Sequence, residues 1–215
     1  MPLMPIRAIL ARAPVVPVLT ITELASAVPL ARALIAGGLP VLEVTLRSAV
    51  ALEAIRALRA EVPEAIVGAG TVIDARQLAP ALAAGSQFIV SPGYSPALCA
   101  EGRRQGAAML PGVATASELM AALAAGIDTL KFFPAAQAGG AALLRALAAP
   151  FPGAQFCPTG GIELESAGEY LALPNVLCVG MSSLAPAALV AAGDFAAITA
   201  LARRAASLRP VAQAG

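Results

Sequence analysis

The chain has 215 residues, of which 59% are hydrophobic and 13% are charged, with a formal net charge of +1. This length suits one α/β barrel domain, which can bury enough surface to fold without a disulfide or a metal. The near-neutral charge and the small number of aromatic residues predict no nucleic-acid partner. The chain has no histidine, which excludes a Ser-His-Asp triad, an HExxH zinc site and any imidazole acid or base.

The apolar stretches do not predict a membrane protein. A glycine, a proline or a charge interrupts each one before it reaches the roughly 18 to 20 residues that a membrane helix needs. Prolines and arginines within the apolar N-terminus argue against a signal peptide. Three cysteines without CxxC spacing predict a reducing, cytoplasmic compartment. We therefore attribute the high apolar content to a subunit interface.

Eight short β-branched stretches alternate with alanine- and leucine-rich helical stretches. Strands are predicted at residues 16–21, 41–46, 65–70, 87–92, 107–112, 128–134, 154–160 and 175–180. Several of the helical stretches begin at Thr, Ser or Asp and end at Gly, as capped helices do. The interval between strands is that of a βα unit, and eight such units predict an α/β fold, a (β/α)8 TIM barrel with an N-terminal helical segment. We expect a single domain over residues 1–215.

A doubly wound open sheet is the alternative fold. It would also alternate strands and helices, but a dinucleotide-binding sheet carries a glycine-rich turn after its first strand. No such turn follows residues 16–21. The barrel is therefore the preferred prediction.

Two charged residues lie inside otherwise apolar predicted strands. Lys131 is the only lysine of the chain, and Glu43 is the only acidic residue well inside a predicted strand. Successive strand residues alternate between faces, so Glu43 shares a face with Arg47, and Lys131 shares a face with Phe133. Because the apolar faces must meet the helices, we expect these polar faces to point into the barrel. Active sites of such barrels lie at the C-terminal ends of the strands.

An amine beside a carboxylate in a desolvated site is equipped to form a Schiff base with a carbonyl substrate. The amine must be neutral to attack: burial and the nearby Arg47 favour the neutral form, whereas Glu43 favours the ammonium. The sequence alone leaves this balance open. It also leaves open that Lys131 and Glu43 are a buried ion pair without a chemical role.

Glycine-containing stretches lie at the ends of the last two predicted strands, at residues 159–161 (TGG) and 180–183 (GMSS). In α/β barrels the loops after the seventh and eighth strands commonly bind phosphate through backbone N–H groups. Two such stretches in these two places favour a phosphate site over ordinary turns. A small anionic substrate is therefore the expected partner.

The stretches VLEVTLR, IVGAGTV, SPG, PGVATASE, LKFFPA and FCPTGGI occur in this order. With them the chain resembles the bacterial 2-keto-3-deoxy-6-phosphogluconate (KDPG) aldolases, also called 4-hydroxy-2-oxoglutarate aldolases. The similarity runs from about Val15 to Ala206. It implies a trimeric (β/α)8 class I aldolase of the Entner–Doudoroff pathway, which yields pyruvate and glyceraldehyde 3-phosphate and needs no metal or other cofactor.

By motif position the resemblance implies that Lys131 forms the Schiff base and that Glu43 is the general acid and base. It implies further roles in binding the substrate for Arg47, Thr71, Pro92, Phe133 and Thr159. It implies a phosphate site at Gly160, Gly161, Gly180 and Ser182.

One residue departs from the family pattern. Met181 stands where family members often carry a second glycine, and its N–H can serve a phosphate only if its φ is negative. The expected substrates therefore also include 4-hydroxy-2-oxoglutarate and the 6-phosphogalactonate epimer. A catalytically idle barrel that serves as an assembly subunit is the alternative outside the enzyme class.

Overall fold

The computed structural model describes residues 4–208. Its strands are β1 (Val15–Leu19), β2 (Val41–Thr45), β3 (Ile66–Gly70), β4 (Phe88–Val90), β5 (Met109–Leu110), β6 (Gly112–Val113), β7 (Thr129–Phe132), β8 (Gln155–Pro158) and β9 (Val179–Met181). Every predicted strand region overlaps an observed strand. The fifth predicted region is divided into β5 and β6 at Pro111, which has no N–H to donate to a ladder.

The helices are α1 (Ile6–Leu10), α2 (Leu24–Ala36), α3 (Ala51–Glu61), α4 (Leu78–Ala83), α5 (Pro96–Arg104), α6 (Ala116–Ala124), α7 (Gly140–Ala148), α8 (Leu164–Leu171), α9 (Ala187–Ala192) and α10 (Phe195–Ala206). The capping signals read from the sequence are confirmed at α5 and α6. There the hydroxyls of Ser95 and Thr115 accept backbone N–H bonds. The sequence analysis missed α9 and α10.

All strand pairs are parallel, and the strand order follows the chain. One sheet has the order β5-β4-β3-β2-β1-β9, and a second has the order β6-β7-β8. Isolated parallel bridges, Phe156 with Val176 and Thr159 with Gly180, connect the β8 region to the β9 region. Because the first strand lies beside the last and the order never reverses, the sheet is curled, and the doubly wound alternative is wrong.

The buried apolar residues form two clusters, one on each face of the curled sheet. Leu42 and Val44 belong to the outer cluster, between the sheet and the helices. The inner cluster is smaller and includes Phe88, and Ile9 and Leu10 of α1 pack into it. Strand residues therefore alternate between the two faces as predicted, and the N-terminal helix lines the inner core below the site.

Within residues 4–208, no helix is both long and apolar enough to span a membrane. The predicted single domain covers residues 1–215, and its first three and last seven residues lie outside the described part.

Candidate active site

One cavity at the C-terminal end of the strands contains every residue that the sequence analysis selected. Its volume is about 360 Å³. The selected residues in its wall are Glu43, Arg47, Thr71, Pro92, Lys131, Phe133, Thr159, Gly160, Gly161, Gly180 and Ser182. They come from six different strands or from the loops that follow them, so the curled sheet is what brings them together.

Lys131 and Glu43 are in direct contact on the inner face of the sheet. Lys131 Nζ donates a hydrogen bond to Glu43 Oε1 at 3.3 Å, and the two side chains are only 7% and 4% exposed. The ammonium also lies 5.1 Å from the centre of the Phe133 ring, within the range of a cation–π interaction. Charged side chains this deeply buried are rare unless they are paired, and removing one partner typically costs about 3–5 kcal/mol. The pair is therefore both a stability constraint and a candidate chemical centre.

Gly70, at the end of β3, leaves the space that the Glu43 carboxylate occupies. β2 and β3 are paired so that Thr45 lies opposite Gly70, which brings the end of β3 beside Glu43. A Cβ at position 70 would collide with the Oε1, Cγ and Cδ atoms of Glu43. The absence of a side chain at Gly70, the second glycine of the GAGT stretch, therefore allows the carboxylate to reach Lys131.

Thr71, the next residue, has a φ of 59° and is the one non-glycine residue with a positive φ between residues 4 and 208. For a β-branched side chain this conformation is an outlier that costs on the order of 1–3 kcal/mol. Such strain is found most often where a site needs a particular direction of the side chain or backbone. The position of Thr71 in the cavity wall, directly after Gly70, is consistent with such a requirement.

The glycines after β8 have backbone conformations that other residues rarely adopt. Gly160 and Gly161 have φ values of 102° and 69°. A Cβ at Gly161 would also approach Ala136 Cβ at 2.7 Å. Met181, in contrast, does not have a positive φ, so its side chain costs nothing in backbone strain. The departure at Met181, the last residue of β9, therefore adds no backbone strain to the cavity.

Neither cysteine of the inner core, Cys157 or Cys178, lines the cavity that contains Lys131. Cys178 is fully buried, and its pKa is raised well above the ordinary value, first by its hydrogen bond with Cys157 and then by burial. A thiol that holds its proton at neutral pH is a poor nucleophile. The single lysine remains the strongest candidate nucleophile of this cavity.

Three further cavity residues were missed: Val18, Ile162 and Glu163. Val18 could have been found from the alternation of β1, which places it on the same inward face as Val16. Ile162 and Glu163 directly follow the TGG stretch, where the sequence analysis stopped at the glycines. Glu163 adds an acidic residue to the end of the cavity formed by the loops after β8 and β9.

The comparisons with known proteins agree with one another. A family model described as KDPG and KHG aldolase matches residues 6–201. The chain is 51% identical over 197 residues to the 2-dehydro-3-deoxy-phosphogluconate aldolase of Pseudoalteromonas atlantica, and the match covers 92% of each chain.

Two solved structures are similar along nearly the whole chain. The 2-keto-3-deoxy-6-phosphogluconate aldolase of Zymomonas mobilis has a TM-score of 0.92 and 49% identity, over 97% of this chain and 100% of that one. The KDPG aldolase of Legionella pneumophila, with pyruvate captured as a covalent carbinolamine intermediate, has a TM-score of 0.93 and 45% identity. That match covers 95% of this chain and 99% of the other.

We predict that Gly70→Ala displaces the Glu43 carboxylate and breaks its contact with Lys131. Overpacking of this kind typically costs about 1–3 kcal/mol, so the unfolding midpoint should fall, and a crystal structure should show Nζ and Oε1 more than 4 Å apart. Gly168→Ala is the matched control, because a Cβ there meets nothing within 4 Å. A Gly70→Ala variant with an unchanged midpoint and an intact contact would contradict this account of the glycine.

Proposed function

Because the chain belongs to the KDPG and KHG aldolase family, we propose that it is a class I aldolase. It cleaves 2-keto-3-deoxy-6-phosphogluconate to pyruvate and glyceraldehyde 3-phosphate. The observation that carries this proposal is the contact between Lys131 Nζ and Glu43 Oε1 at 3.3 Å inside the cavity. A carbinolamine such as the one in the Legionella pneumophila structure forms when an amine adds to a carbonyl carbon. Lys131 is the only side-chain amine that this chain has.

The first half of the reaction joins the substrate to Lys131. The ammonium passes a proton to Glu43, and the neutral amine attacks the C2 ketone. Glu43 then returns the proton to the C2 oxygen, which gives the carbinolamine. It next transfers a second proton from the nitrogen to the C2 hydroxyl, which leaves as water, and a protonated imine remains. The positive imine nitrogen is the electron sink that the next step requires.

The second half breaks the C3–C4 bond. Glu43, directly or through a water, removes the proton of the C4 hydroxyl, and the electron pair of the C3–C4 bond moves onto C3 and the imine nitrogen. Glyceraldehyde 3-phosphate leaves, and the resulting enamine takes a proton at C3. Water adds to the imine and frees pyruvate, which restores the amine of Lys131.

The remaining cavity residues hold the two ends of the substrate. Arg47 and Thr71 bind the pyruvyl carboxylate, since a guanidinium and a hydroxyl are suited to its oxygens. Pro92 and Phe133 provide the apolar wall beside the reacting carbons, and Thr159 contributes a hydroxyl. The phosphate lies against the loops after β8 and β9, at Gly160, Gly161, Gly180 and Ser182. What supports these assignments is that the residues line a single cavity.

We also propose that the two sheets form one closed (β/α)8 barrel and that residues 1–215 are a single domain. The two halves of the fifth strand, β5 and β6, belong to different sheets and are separated by Pro111 alone, so the chain itself joins the sheets at that point. The bridges from Phe156 and Thr159 join them again on the other side. Closure would remove the exposed sheet edges.

For the assembly and its setting we propose a cytoplasmic homotrimer that uses no metal and binds neither nucleic acid nor a membrane. The three cysteines are free thiols, which a reducing compartment maintains. Large apolar side chains are exposed on the single chain, among them Ile73 at 65% and Met120 at 61%, and an interface would cover such side chains.

We predict that the protein releases pyruvate from 2-keto-3-deoxy-6-phosphogluconate, and that Glu43→Gln lowers kcat by about 10² or more, the usual effect of losing a general base. Lys131→Arg should show no turnover, because a guanidinium stays protonated. Glu53→Gln, an exposed carboxylate of α3, is the control and should keep full activity. The assay couples aldol cleavage to pyruvate detection and should include 4-hydroxy-2-oxoglutarate and the galactonate epimer.

Absence of turnover with all three keto acids would contradict the aldolase proposal and favour an assembly subunit. Near-normal turnover in Glu43→Gln would assign the proton transfers to another group.

We predict a particle of three times the 21.3 kDa chain mass by light scattering at micromolar concentration. The reason is that 59% hydrophobic residues and exposed apolar side chains need a covered surface. A mass equal to one chain would contradict the trimer.

A further inference from the structure

Glu163 lies in the cavity wall beside the glycines after β8, and neither the catalytic steps nor the substrate contacts proposed above use it. Its backbone is held on both sides by one hydroxyl. Glu163 N–H donates to Ser166 Oγ at 3.1 Å, and Ser166 Oγ donates to the Glu163 carbonyl at 3.2 Å. The backbone of this exposed residue is therefore fixed at the start of α8, at the rim of the cavity.

No cation neutralises this carboxylate. The four ion pairs within residues 4–208 do not include Glu163, and the nearby Arg204 is 3.6 Å from Glu165 instead. Four charged side chains line the cavity, and two of them, Glu43 and Lys131, pair with each other. The other two, Arg47 and Glu163, follow β2 and β8, which are separated by β1 and β9.

The cavity is consequently polarised. Arg47 makes the end that receives the pyruvyl carboxylate positive, whereas the end formed by the loops after β8 and β9 has a negative side chain and no positive one in its wall. A phosphate bound by backbone N–H groups at that end carries up to two negative charges, which the charge of Glu163 in the same cavity wall repels. At close range such repulsion corresponds to about a two- to fivefold change in affinity.

We propose that Glu163 is a specificity-determining residue that weakens the binding of phosphorylated substrates and so moves the preference of this aldolase towards keto acids without a phosphate. This inference rests on the proposed function, because it uses the phosphate position assigned there. Glu163 changes selectivity between substrates and leaves the chemistry at Lys131 unchanged.

The test is a charge series at one position: the parent, Glu163→Gln and Glu163→Lys. KM is measured for 2-keto-3-deoxy-6-phosphogluconate and for 2-keto-3-deoxygluconate, which lacks the phosphate. We expect KM for the phosphorylated substrate to fall about two- to fivefold in Glu163→Gln and further in Glu163→Lys. KM for the unphosphorylated substrate and kcat for both should stay within experimental error.

Glu165→Gln is the matched control. It removes the same charge from the first turn of the same helix, does not line the cavity, and loses only an exposed ion pair of little energetic value. It should leave both KM values unchanged. Equal shifts for both substrates in Glu163→Gln, a rise in KM for the phosphorylated one, or no change at all would overturn the inference while the aldolase proposal stands.

Binding of inorganic phosphate, measured by calorimetry, separates the two proposals if the parent cleaves neither substrate. The inference then requires affinity for phosphate to increase from the parent to Glu163→Gln to Glu163→Lys, with Glu165→Gln equal to the parent. A flat series, or no phosphate binding in any variant, overturns it.

Discussion

The contact between Lys131 and Glu43 is the constraint on which the rest of the site depends. Two opposite charges, 7% and 4% exposed, are stable inside a protein only while each has the other. Gly70 leaves room for the carboxylate, and Phe133 places a ring 5.1 Å from the ammonium. The same closeness that stabilises the pair provides the path by which a proton can leave the amine. Stability and chemistry therefore require the same geometry, and a substitution that disturbs one should disturb both.

Much of this site could be predicted because a strand has a period of two. That period places Glu43 on the face opposite Leu42 and Val44. Because the apolar faces must meet the helices, Glu43 and Lys131 were correctly assigned to the inward face. The contact itself joins residues 88 positions apart, so it depends on the curling of the sheet, which no local pattern contains. The break at Pro111 was visible as a residue without an N–H, yet its consequence, two half-strands in different sheets, follows only from the pairing.

The features that were missed lie next to features that were found. Glu163, whose charge gives the cavity its polarity, lies two residues after Gly161, the last residue of the TGG stretch. The helices α9 and α10 follow the last strand, where the eighth βα unit already requires a helix, but no helical stretch was assigned beyond that strand. The sequence analysis required a negative φ at Met181 if its N–H is to bind a phosphate, and the φ of Met181 is not positive.

In the proposed mechanism, the neutral amine of Lys131 forms the imine with pyruvate. Reduction of the protein with borohydride in the presence of pyruvate, followed by peptide mapping, tests it most directly, because the only other amine of the chain is its N-terminus. We expect a stable added mass on the peptide containing TLKFFPA, together with loss of activity, and no such adduct in Lys131→Arg. An inactivated protein without an adduct on that peptide would contradict the imine mechanism and leave Lys131 as an ion-pair partner only.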